Sequence, residues 1–370
     1  MTEVSTIGFD LAKRVFQVHG VDGDGAVTIR RQLRRSEVVT FFAKLSPCVV
    51  GMEACASAHY WARTLAKLGH EVRLIPPSRV KPYVKRGRKN DAADAAAIAE
   101  AVTRPHMEFV PVKSEEAQAV LMLHRTRRLL VTQRTMLGNA LRSHFAEYGI
   151  IEPEGQGGLA RLVVCALDAP DAALPQAARE AMAMLAAHVR EIDSKIDALD
   201  HEILRWHRND ADSQRVASIP GIGPLIASAI VAAMGDPKRF KTGRDFAAWL
   251  GLVPSQNSTG GKTVLGPITK AGDRYLRSLL VVGATGTLWR RRKEQGTWLA
   301  GMMARGAAQT GRTHDCTRPE RQREKISLQR RGCPHMTHDD LALCWSLCPS
   351  AVLRPFGRSP NARLSVAPHI

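Results

Sequence analysis

The chain has 370 residues and carries 53 lysines and arginines against 35 aspartates and glutamates, a formal net charge of +18. Its length predicts two or three domains, each able to bury its own core, and it contains no run of about 18 uncharged apolar residues that could span a bilayer. The charge favours nucleic acid as a partner, because basic side chains that neutralise phosphates release condensed counterions. A basic but inert surface is the alternative.

The cysteines and the first residues indicate a compartment. Cys48, Cys55 and Cys165 are scattered through apolar stretches, where a thiol behaves as a small hydrophobe, and this is not a disulfide framework. The other four of the seven cysteines lie between residues 316 and 348, with spacings that match no common zinc module. Residues 1–10 lack the basic start and apolar core of an export signal. We therefore expect a cytoplasmic protein with reduced thiols.

Strand and helix signals alternate along the first hundred residues. Apolar runs, alternation and turn residues predict strands at 5–10, 15–21 and 26–33, a helix at 38–45, a strand at 48–53, a helix at 58–68 and a strand at 72–75. The first three strands form an antiparallel meander. Three antiparallel strands followed by alternating helix and strand is the order of a ribonuclease H-like sheet.

Basic side chains crowd the segment 79–89, which Pro82 and Gly87 punctuate, so a regular buried element is not expected there. The candidate contacts to nucleic-acid phosphates in this segment are Arg79, Lys81, Lys85, Arg86, Arg88 and Lys89. Two further basic clusters, at 125–128 and 290–293, are candidate backbone contacts, with solvated helix faces as the alternative.

Long helical patterns follow an alanine-rich helix predicted at 91–102. Apolar residues at helical spacing, with charges between them, predict helices at 115–148 and 176–208, which form a hairpin or coiled coil. The residues between them, 149–175, are rich in Gly and Pro. They predict a loop with a short apolar piece.

From Val216 onward the composition predicts a separate, mostly helical domain, with helical patterns at 225–234, 244–250 and 273–289. Beyond about residue 306 the periodicity vanishes, so no packed element is predicted there. The predicted fold class is α/β plus α. The predicted domains are 1–110, 111–212, 213–305 and an irregular tail at 306–370.

Four carboxylates stand where a sheet and a helix can bring them together. Asp10 and Glu53 each end a predicted strand, and Asp91 and Asp94 lie three residues apart on one face of a predicted helix. Hard oxygen ligands of this kind suit Mg²⁺, and two such ions hold the attacking and leaving oxygens of a phosphodiester. Taken singly, Asp10 is typical of a strand-end turn and Asp91 of a helix cap. Their joint order favours a metal site.

Two glycine-containing stretches are further candidates. Gly221 and Gly223 in Pro-Gly-Ile-Gly resemble a helix-hairpin-helix turn, whose backbone amides bind phosphate without reading bases; a plain tight turn between core helices is the alternative. Residues 254–262, Pro-Ser-Gln-Asn-Ser-Thr-Gly-Gly-Lys, form a polar loop near basic groups. A serine held there could attack phosphorus and form a covalent intermediate, although serine in such a loop is usually only a turn residue.

These motifs occur in the same order in one known family. The chain resembles the DEDD-type transposases of bacterial insertion sequences, the insertion-sequence-110 family, from about Thr6 to Ala304. The resemblance rests on Gly8-Phe-Asp-Leu-Ala-Lys, Gly51-Met-Glu-Ala-Cys, Lys89-Asn-Asp-Ala-Ala-Asp-Ala, Ser218-Ile-Pro-Gly-Ile-Gly and Leu250-Gly-Leu-Val-Pro-Ser-Gln-Asn-Ser-Thr-Gly-Gly-Lys.

The resemblance implies an architecture and a set of catalytic residues. It implies a RuvC-like domain, a coiled-coil connection and a C-terminal transposase domain. The implied metal ligands are Asp10, Glu53, Asp91 and Asp94, with two Mg²⁺ expected per active site. It also implies that Ser258 is the nucleophile that links to a DNA 5′ phosphate, with Ser255 as the competitor. The neighbouring Lys262 and Lys270 are expected to contact nucleic acid.

The resemblance also implies partners. Members of the family use a structured noncoding RNA, a bridge RNA, to choose donor and target DNA. They work as homodimers or homotetramers whose active sites combine the acidic tetrad of one subunit with the serine of another. We therefore expect DNA, a bridge RNA and further copies of this chain as partners, and no membrane.

One departure from the family pattern bears on activity. Family members continue past Trp298-Leu-Ala into an apolar helix, whereas residues 310–370 carry scattered Cys, His, Arg and Pro. Such a tail is typical of translation in a shifted reading frame, so we expect it to be disordered. Two other functions are left open: a junction-resolving nuclease, which uses the same acids without a serine, and an inactive nucleic-acid-binding remnant.

Overall fold

A computed structural model describes residues 3–84, 90–168 and 174–291, with side chains up to residue 287. The chain divides into two compact units, Met1–Gln118 and Ala119–Ile370. Within the described ranges no helix is both long and apolar enough to cross a membrane. The tail predicted at 306–370 lies outside the described residues, as do four basic candidates, Lys85, Arg86, Arg88 and Lys89.

The first unit is built on a mixed five-stranded sheet, as the strand order of the sequence predicts. Its strands are β1 (Thr6–Asp10), β2 (Val15–Val21), β3 (Val27–Arg34), β4 (Val49–Glu53) and β5 (Glu71–Ile75). Their order across the sheet is β3-β2-β1-β4-β5. The pairs β1–β2 and β2–β3 are antiparallel, whereas β4 runs parallel to both β1 and β5. The sheet therefore changes from antiparallel to parallel at β1.

The helices of the first unit are α1 (Val38–Phe42), α2 (Ala58–Lys67), α3 (Pro77–Val80) and α4 (Asp91–Val102). Since side chains alternate along a strand, Ile7 and Phe9 of β1 point to one face, where they pack with Phe42 of α1 and Trp61 of α2. The other face meets α4. The segment predicted to be irregular from residue 79 instead begins in α3, whose Val80 is buried.

Helix α4 lies against the sheet at two glycines. Gly8 of β1 and Gly51 of β4 are register partners in the parallel pair. A Cβ atom on Gly8 would stand 2.0 Å from the carbonyl oxygen of Ala95, and one on Gly51 would stand 2.8 Å from the Cβ of Val102. Non-bonded atoms do not approach to these distances, so α4 can pack this close to the sheet only if both positions are glycine.

The second unit is mainly helical. Its elements are α5 (Glu115–Ala146), which begins in the first unit, α6 (Gln156–Leu167), α7 (Gln176–Asn209), α8 (Ala211–Ala217), α9 (Pro224–Met234), α10 (Gly243–Trp249), β6 (Pro254–Thr259), β7 (Lys262–Ile268) and α11 (Arg274–Arg291). The two predicted long helices correspond to α5 and α7. Ion pairs join Arg127 to Asp200 and Arg134 to Asp193. From Arg127 to Arg134 the residue number rises by seven, whereas from Asp200 to Asp193 it falls by seven. The two helices therefore run antiparallel.

Two segments predicted as loops are ordered elements. Residues 156–167 form α6, which buries Leu159, Leu162 and Val163 at helical spacing; the glycines and prolines around it conceal this periodicity in the sequence. Residues 254–268 form the β6–β7 hairpin. Gly260 and Gly261 have φ values of +56° and +80°, which a two-residue hairpin turn requires. Strand β6 is polar, and β7 has two adjacent exposed apolar residues, Val264 and Leu265, so neither strand shows hydrophobic alternation.

Buried polar side chains tie the second unit together. His124 of α5 is 1% exposed, and its ring nitrogens lie 3.1 Å from the hydroxyls of Tyr275 and Ser228. Burial lowers the pKa of His124 to about 4, so the ring is neutral at pH 7. Arg277 of α11 donates to the carbonyls of Leu250 and Gly272, at 2.8 and 3.1 Å. These bonds hold the chain before and after the hairpin.

We predict that Gly8→Ala destabilises the first unit by about 2–3 kcal/mol, because the new methyl group forces α4 off the sheet. Gly23→Ala is the matched control, since nothing lies within 4 Å of a Cβ at that turn position. Urea denaturation followed by the fluorescence of buried Trp61 measures the difference. Equal midpoints for the two variants would contradict this packing.

Candidate functional site

Two of the four predicted acids lie at one edge of the sheet. Asp10 is the last residue of β1 and Glu53 is the last residue of β4. Phe9 pairs with Met52 in the parallel register, so the two acids are the next residues along neighbouring strands. The carboxyl ends of parallel strands meet at the same edge, and both side chains are half-buried there.

The other two acids occupy the first turn of α4. Asp91 and Asp94 follow Asn90, whose side-chain oxygen accepts a hydrogen bond of 2.7 Å from the amide of Ala93. Asn90 is therefore the helix cap, and the explanation of Asp91 as the cap is wrong. Asp91 remains exposed, whereas Asp94 is half-buried.

The electrostatics of Asp10 show that the four acids are neighbours. The pKa of Asp10 rises from 3.8 to about 6, first because the carboxyl is desolvated and then because of the negative charges of Asp94, Asp91 and Glu53. A hydrogen bond from the Leu11 amide opposes the shift. Like charges raise a carboxyl pKa only at short range in a partly dry site. The fold thus brings together acids that are 84 positions apart at most, between residues 10 and 94.

The acid cluster has the chemistry of a divalent-cation site, although its side chains are not arranged as ligands. Within the described residues, no three His, Cys, Asp or Glu side chains are grouped so that they could hold a metal ion. Charges influence one another over longer distances than a metal–oxygen bond of about 2.1 Å. The other three acids can therefore raise the pKa of Asp10 without standing in the positions of metal ligands. Three carboxylates around a fourth whose pKa is raised favour a cation, and side-chain rotation must bring their oxygens onto it.

Cys55 is a neighbour of the site that the sequence reasoning did not select. Desolvation raises the pKa of its thiol, and the charges of Glu53 and Asp10 raise it further. The thiol is therefore protonated at neutral pH and is a poor nucleophile. Its place two residues after Glu53, in Gly51-Met-Glu-Ala-Cys, is the only signal in the sequence that could have pointed to it.

The two candidate serines differ in their surroundings on the hairpin. Ser258 lies near the tip of β6, is exposed, and accepts a hydrogen bond of 2.8 Å from the side-chain amide of Gln256. Ser255 lies at the base of β6, is half-buried, and donates to the carbonyl of Pro267 at 3.1 Å. The hydroxyl of Ser258 is thus the accessible one.

The described basic candidates are all exposed. Lys262 begins β7 opposite Thr259, and Lys270 follows the hairpin in a left-handed conformation, with φ of +54°. In the first unit, Arg79 pairs with Glu108 at 3.2 Å, and Lys81 begins a short 3-10 turn. An exposed pair of this kind contributes little to stability, so Arg79 can exchange its partner for a phosphate.

The two candidate glycines have different roles in packing. Gly221, with φ of +89°, lies so close to α11 that a Cβ atom would stand 2.6 Å from the hydroxyl of Thr287. Gly223 is the N-cap of α9, and nothing lies within 4 Å of a Cβ built there. Gly221 is therefore required by packing, and the open backbone is that of Gly223.

Comparisons with known proteins bear on this arrangement. A DEDD transposase family model matches residues 7–150, and a model for the transposases of the IS116/IS110/IS902 family matches residues 213–297. The chain is 48% identical over 309 residues to a probable family 20 transposase of Pseudomonas aeruginosa, which covers 82% of this chain and 91% of that protein. The chain belongs to the IS110 family of insertion-sequence transposases.

Other relatives are named for their insertion sequences. The chain is similar to the transposase for insertion sequence element IS1328 of Yersinia enterocolitica, at 38% identity over 82% of this chain and 91% of that protein. It is also similar to the transposase for IS1111A of Coxiella burnetii, at 37% identity over 82% and 84% of the two chains. Transposases of the IS110 family cleave and rejoin DNA, so this chain is an enzyme that acts on DNA.

The IS110 family assignment agrees with the fold. The mixed sheet with its surrounding helices is consistent with a ribonuclease H-like DEDD transposase, and a DEDD family indicates a divalent-metal requirement. The first family match contains the four acids, and the second contains the turn at Gly221 and the hairpin with Ser258.

We predict that Asp10→Asn stabilises the metal-free protein at neutral pH. The folded-state pKa of Asp10, about 6, lies above the ordinary value of 3.8. Folding therefore takes up a proton between these pH values, and ionised Asp10 opposes folding above pH 6. We expect a gain of about 1 kcal/mol after allowance for solvent screening. Below about pH 4 the gain disappears.

Urea denaturation in EDTA, at neutral pH and again below about pH 4, measures this effect. Asp24→Asn is the matched control, because it removes an exposed carboxylate from a turn of the same unit. Added Mg²⁺ should stabilise the unsubstituted protein more than the Asp10→Asn variant. No gain in stability at neutral pH would mean that the acids do not repel one another.

Proposed function

We propose that this transposase cuts and rejoins DNA with a metal-bound tetrad, Asp10, Glu53, Asp91 and Asp94, and with Ser258 as its nucleophile. The single observation that carries the proposal is the raised pKa of Asp10, to which the other three acids contribute. Perturbed carboxyl groups of this kind cluster at catalytic sites. We further propose that a bridge RNA guides the choice of DNA, on the strength of family membership and the charge of +18.

The chemistry of the donors supports Mg²⁺ as the metal, with two ions per active site. Carboxylate oxygens at two strand ends and one helix start are hard ligands, which Mg²⁺ prefers. The ions would supply positive charge to the attacking and leaving oxygens of a phosphodiester. The four acids of this chain would hold them beside the scissile phosphate, and the positive charge would lower the raised pKa of Asp10 and keep its carboxylate ionised.

The proposed covalent step forms one bond and breaks one. The Ser258 hydroxyl loses its proton as its oxygen attacks phosphorus, and the bond from phosphorus to the DNA 3′ oxygen breaks. The 3′ oxygen gains a proton, and Ser258 is left joined to the 5′ phosphate. Attack by the 3′ hydroxyl of another strand reverses these changes and frees Ser258. Its exposed position supports Ser258 over Ser255, whose hydroxyl is engaged at the base of the hairpin.

The proposed contacts with nucleic acid are electrostatic. Exposed Arg79 and Lys81 in the first unit, and Lys262 and Lys270 beside the hairpin, are candidates for phosphates, which they would neutralise without reading sequence. We include Lys85, Arg86, Arg88 and Lys89 on their charge alone. The open backbone at Gly223, which begins α9, supports a helix-hairpin-helix-like phosphate contact there.

An apolar stripe on α5 supports a coiled-coil role and self-association. Met122, Leu129 and Met136 stand seven residues apart and are 65%, 57% and 66% exposed. Residues repeated every seven positions share one helix face. The ion pairs of Arg127 and Arg134 use a different face of the same helix. We propose that the stripe packs against a second copy of this chain, as a homodimer or within a homotetramer. We also propose that the chain has three domains, at residues 1–110, 111–212 and 213–305.

We predict that Ser258→Ala abolishes the covalent protein–DNA adduct and lowers strand exchange by at least about a thousandfold. Ser255→Ala is the control and should still form the adduct. Denaturing gels with end-labelled DNA, protein, Mg²⁺ and the structured RNA transcribed from the element's own noncoding end measure both. Cleavage without an adduct in Ser258→Ala would favour a junction-resolving nuclease, in which water attacks. No cleavage by the unsubstituted protein would favour an inactive nucleic-acid-binding remnant.

We predict that Leu129→Glu shifts the protein toward monomer, because burying a charge in an apolar contact is unfavourable. Met184→Glu is the matched control, since Met184 is a 73% exposed apolar residue on α7 outside the stripe. Size-exclusion chromatography with light scattering measures the mass of each variant. An unchanged mass for Leu129→Glu would exclude the stripe as the self-association surface.

A further inference from the structure

A polar row crosses the sheet from the acidic site toward its antiparallel edge. Asp10 of β1 pairs with Gln17 of β2, and Gln17 pairs with Gln32 of β3. Side chains directly opposite one another in antiparallel strands share a face. The two glutamines therefore lie on the same face as Asp10, the face that α4 covers only in part.

A second row runs beside the first. Gly8 pairs with His19, and His19 pairs with Arg30. The polar side chains of the two rows are half-buried on β2, which α4 also contacts, and exposed on β3. They form the floor of the strand groove, defined here by Gln17, His19, Arg30 and Gln32, with a volume of about 650 Å³.

The wall of the strand groove is formed by small and aromatic side chains. Ala93 and Ala96 of α4 line one side together with Tyr83. Alanines leave the groove wide and let a ligand approach the helix backbone. The Tyr83 ring is half-buried, and the guanidinium of Arg104 lies 5.8 Å from its centre, so Tyr83 acts as a wall of the groove.

The charge of the strand groove is positive. Arg30 is exposed on β3. Glu100, the acid on the wall, is ion-paired with Arg104 at 2.5 Å, so its charge is balanced. Desolvation and the neighbouring Arg30 lower the pKa of His19, so the ring is neutral at pH 7. A neutral imidazole can donate one hydrogen bond and accept another.

We propose that the strand groove binds the single DNA strand that adjoins the phosphate held at Asp10. Three neighbouring strands place Gln32 about 10 Å from Asp10, within reach of the adjoining nucleotides. Arg30 contacts a phosphate, and the side-chain amides of Gln17 and Gln32 bond to base edges. The volume suits extruded nucleotides rather than a duplex. This inference rests on the proposed cleavage at Asp10.

Salt dependence tests the phosphate contact. Binding of a short fluorescein-labelled single-stranded DNA to the full chain is followed by fluorescence anisotropy in EDTA, so that no cleavage occurs. Arg30→Gln should weaken binding and reduce the slope of log affinity against log salt by about 0.7, the value for one phosphate on a single strand. Lys67→Gln is the matched control. Lys67 is exposed on α2, on the opposite face of the sheet, and its loss should leave the slope unchanged.

The glutamines have a different signature. Gln17→Ala and Gln32→Ala should each weaken binding about fivefold, the effect of one neutral hydrogen bond, and leave the salt slope unchanged. Circular-dichroism melting confirms that each variant is folded. Arg30→Lys should restore the slope, because it restores the charge.

The outcomes separate this inference from the proposed function. An unchanged slope in Arg30→Gln, or unchanged affinity in both glutamine variants, overturns the groove assignment even if Asp10→Asn abolishes cleavage. Preference for an RNA strand of the same sequence overturns the assignment of DNA as the occupant. Cleavage that persists in Asp10→Asn overturns the proposed function itself, whatever the anisotropy shows.

Discussion

Helix α4 can rest on the sheet only because Gly8 and Gly51 leave room for it. The approach is close enough that a single methyl group at Gly8 would overlap a backbone oxygen of the helix. The first turn of α4 therefore places Asp91 and Asp94 near the sheet edge where Asp10 ends β1. The candidate metal site and the partly open face of β2 and β3 both follow from where this one helix lies.

The acid cluster stores electrostatic repulsion that a cation would relieve. Asp10, with a pKa of about 6, is the most perturbed member because it is desolvated and faces three other carboxylates. Stability and function therefore pull in opposite directions at this position, as at many catalytic sites. The thiol of Cys55 is protonated and adds no negative charge to the site, and the neutral ring of His19 supplies no positive charge that would offset the four acids.

The second unit uses buried polar contacts where the first uses close glycine packing. His124 links α5 to α9 and α11, and Arg277 holds the residues on either side of the β6–β7 hairpin. A hairpin fixed at its base presents Ser258 near a defined tip. The hairpin lies within the part of the chain that matches the IS110 family, and Ser258 is the residue that we propose acts on DNA.

Local patterns in the sequence predicted the strand order and the long helices from the spacing of apolar residues. They also predicted that the four acids lie close together, because strand ends and a three-residue spacing place side chains on definite faces. They missed α6 and the hairpin, whose composition hides their periodicity. They offered Asp91 as a helix cap, whereas Asn90 is the cap of α4, and they did not show which face of β2 and β3 stays uncovered. Only the tertiary structure decides such questions, since they depend on where α4 docks, and that is set by contacts between residues distant in the chain.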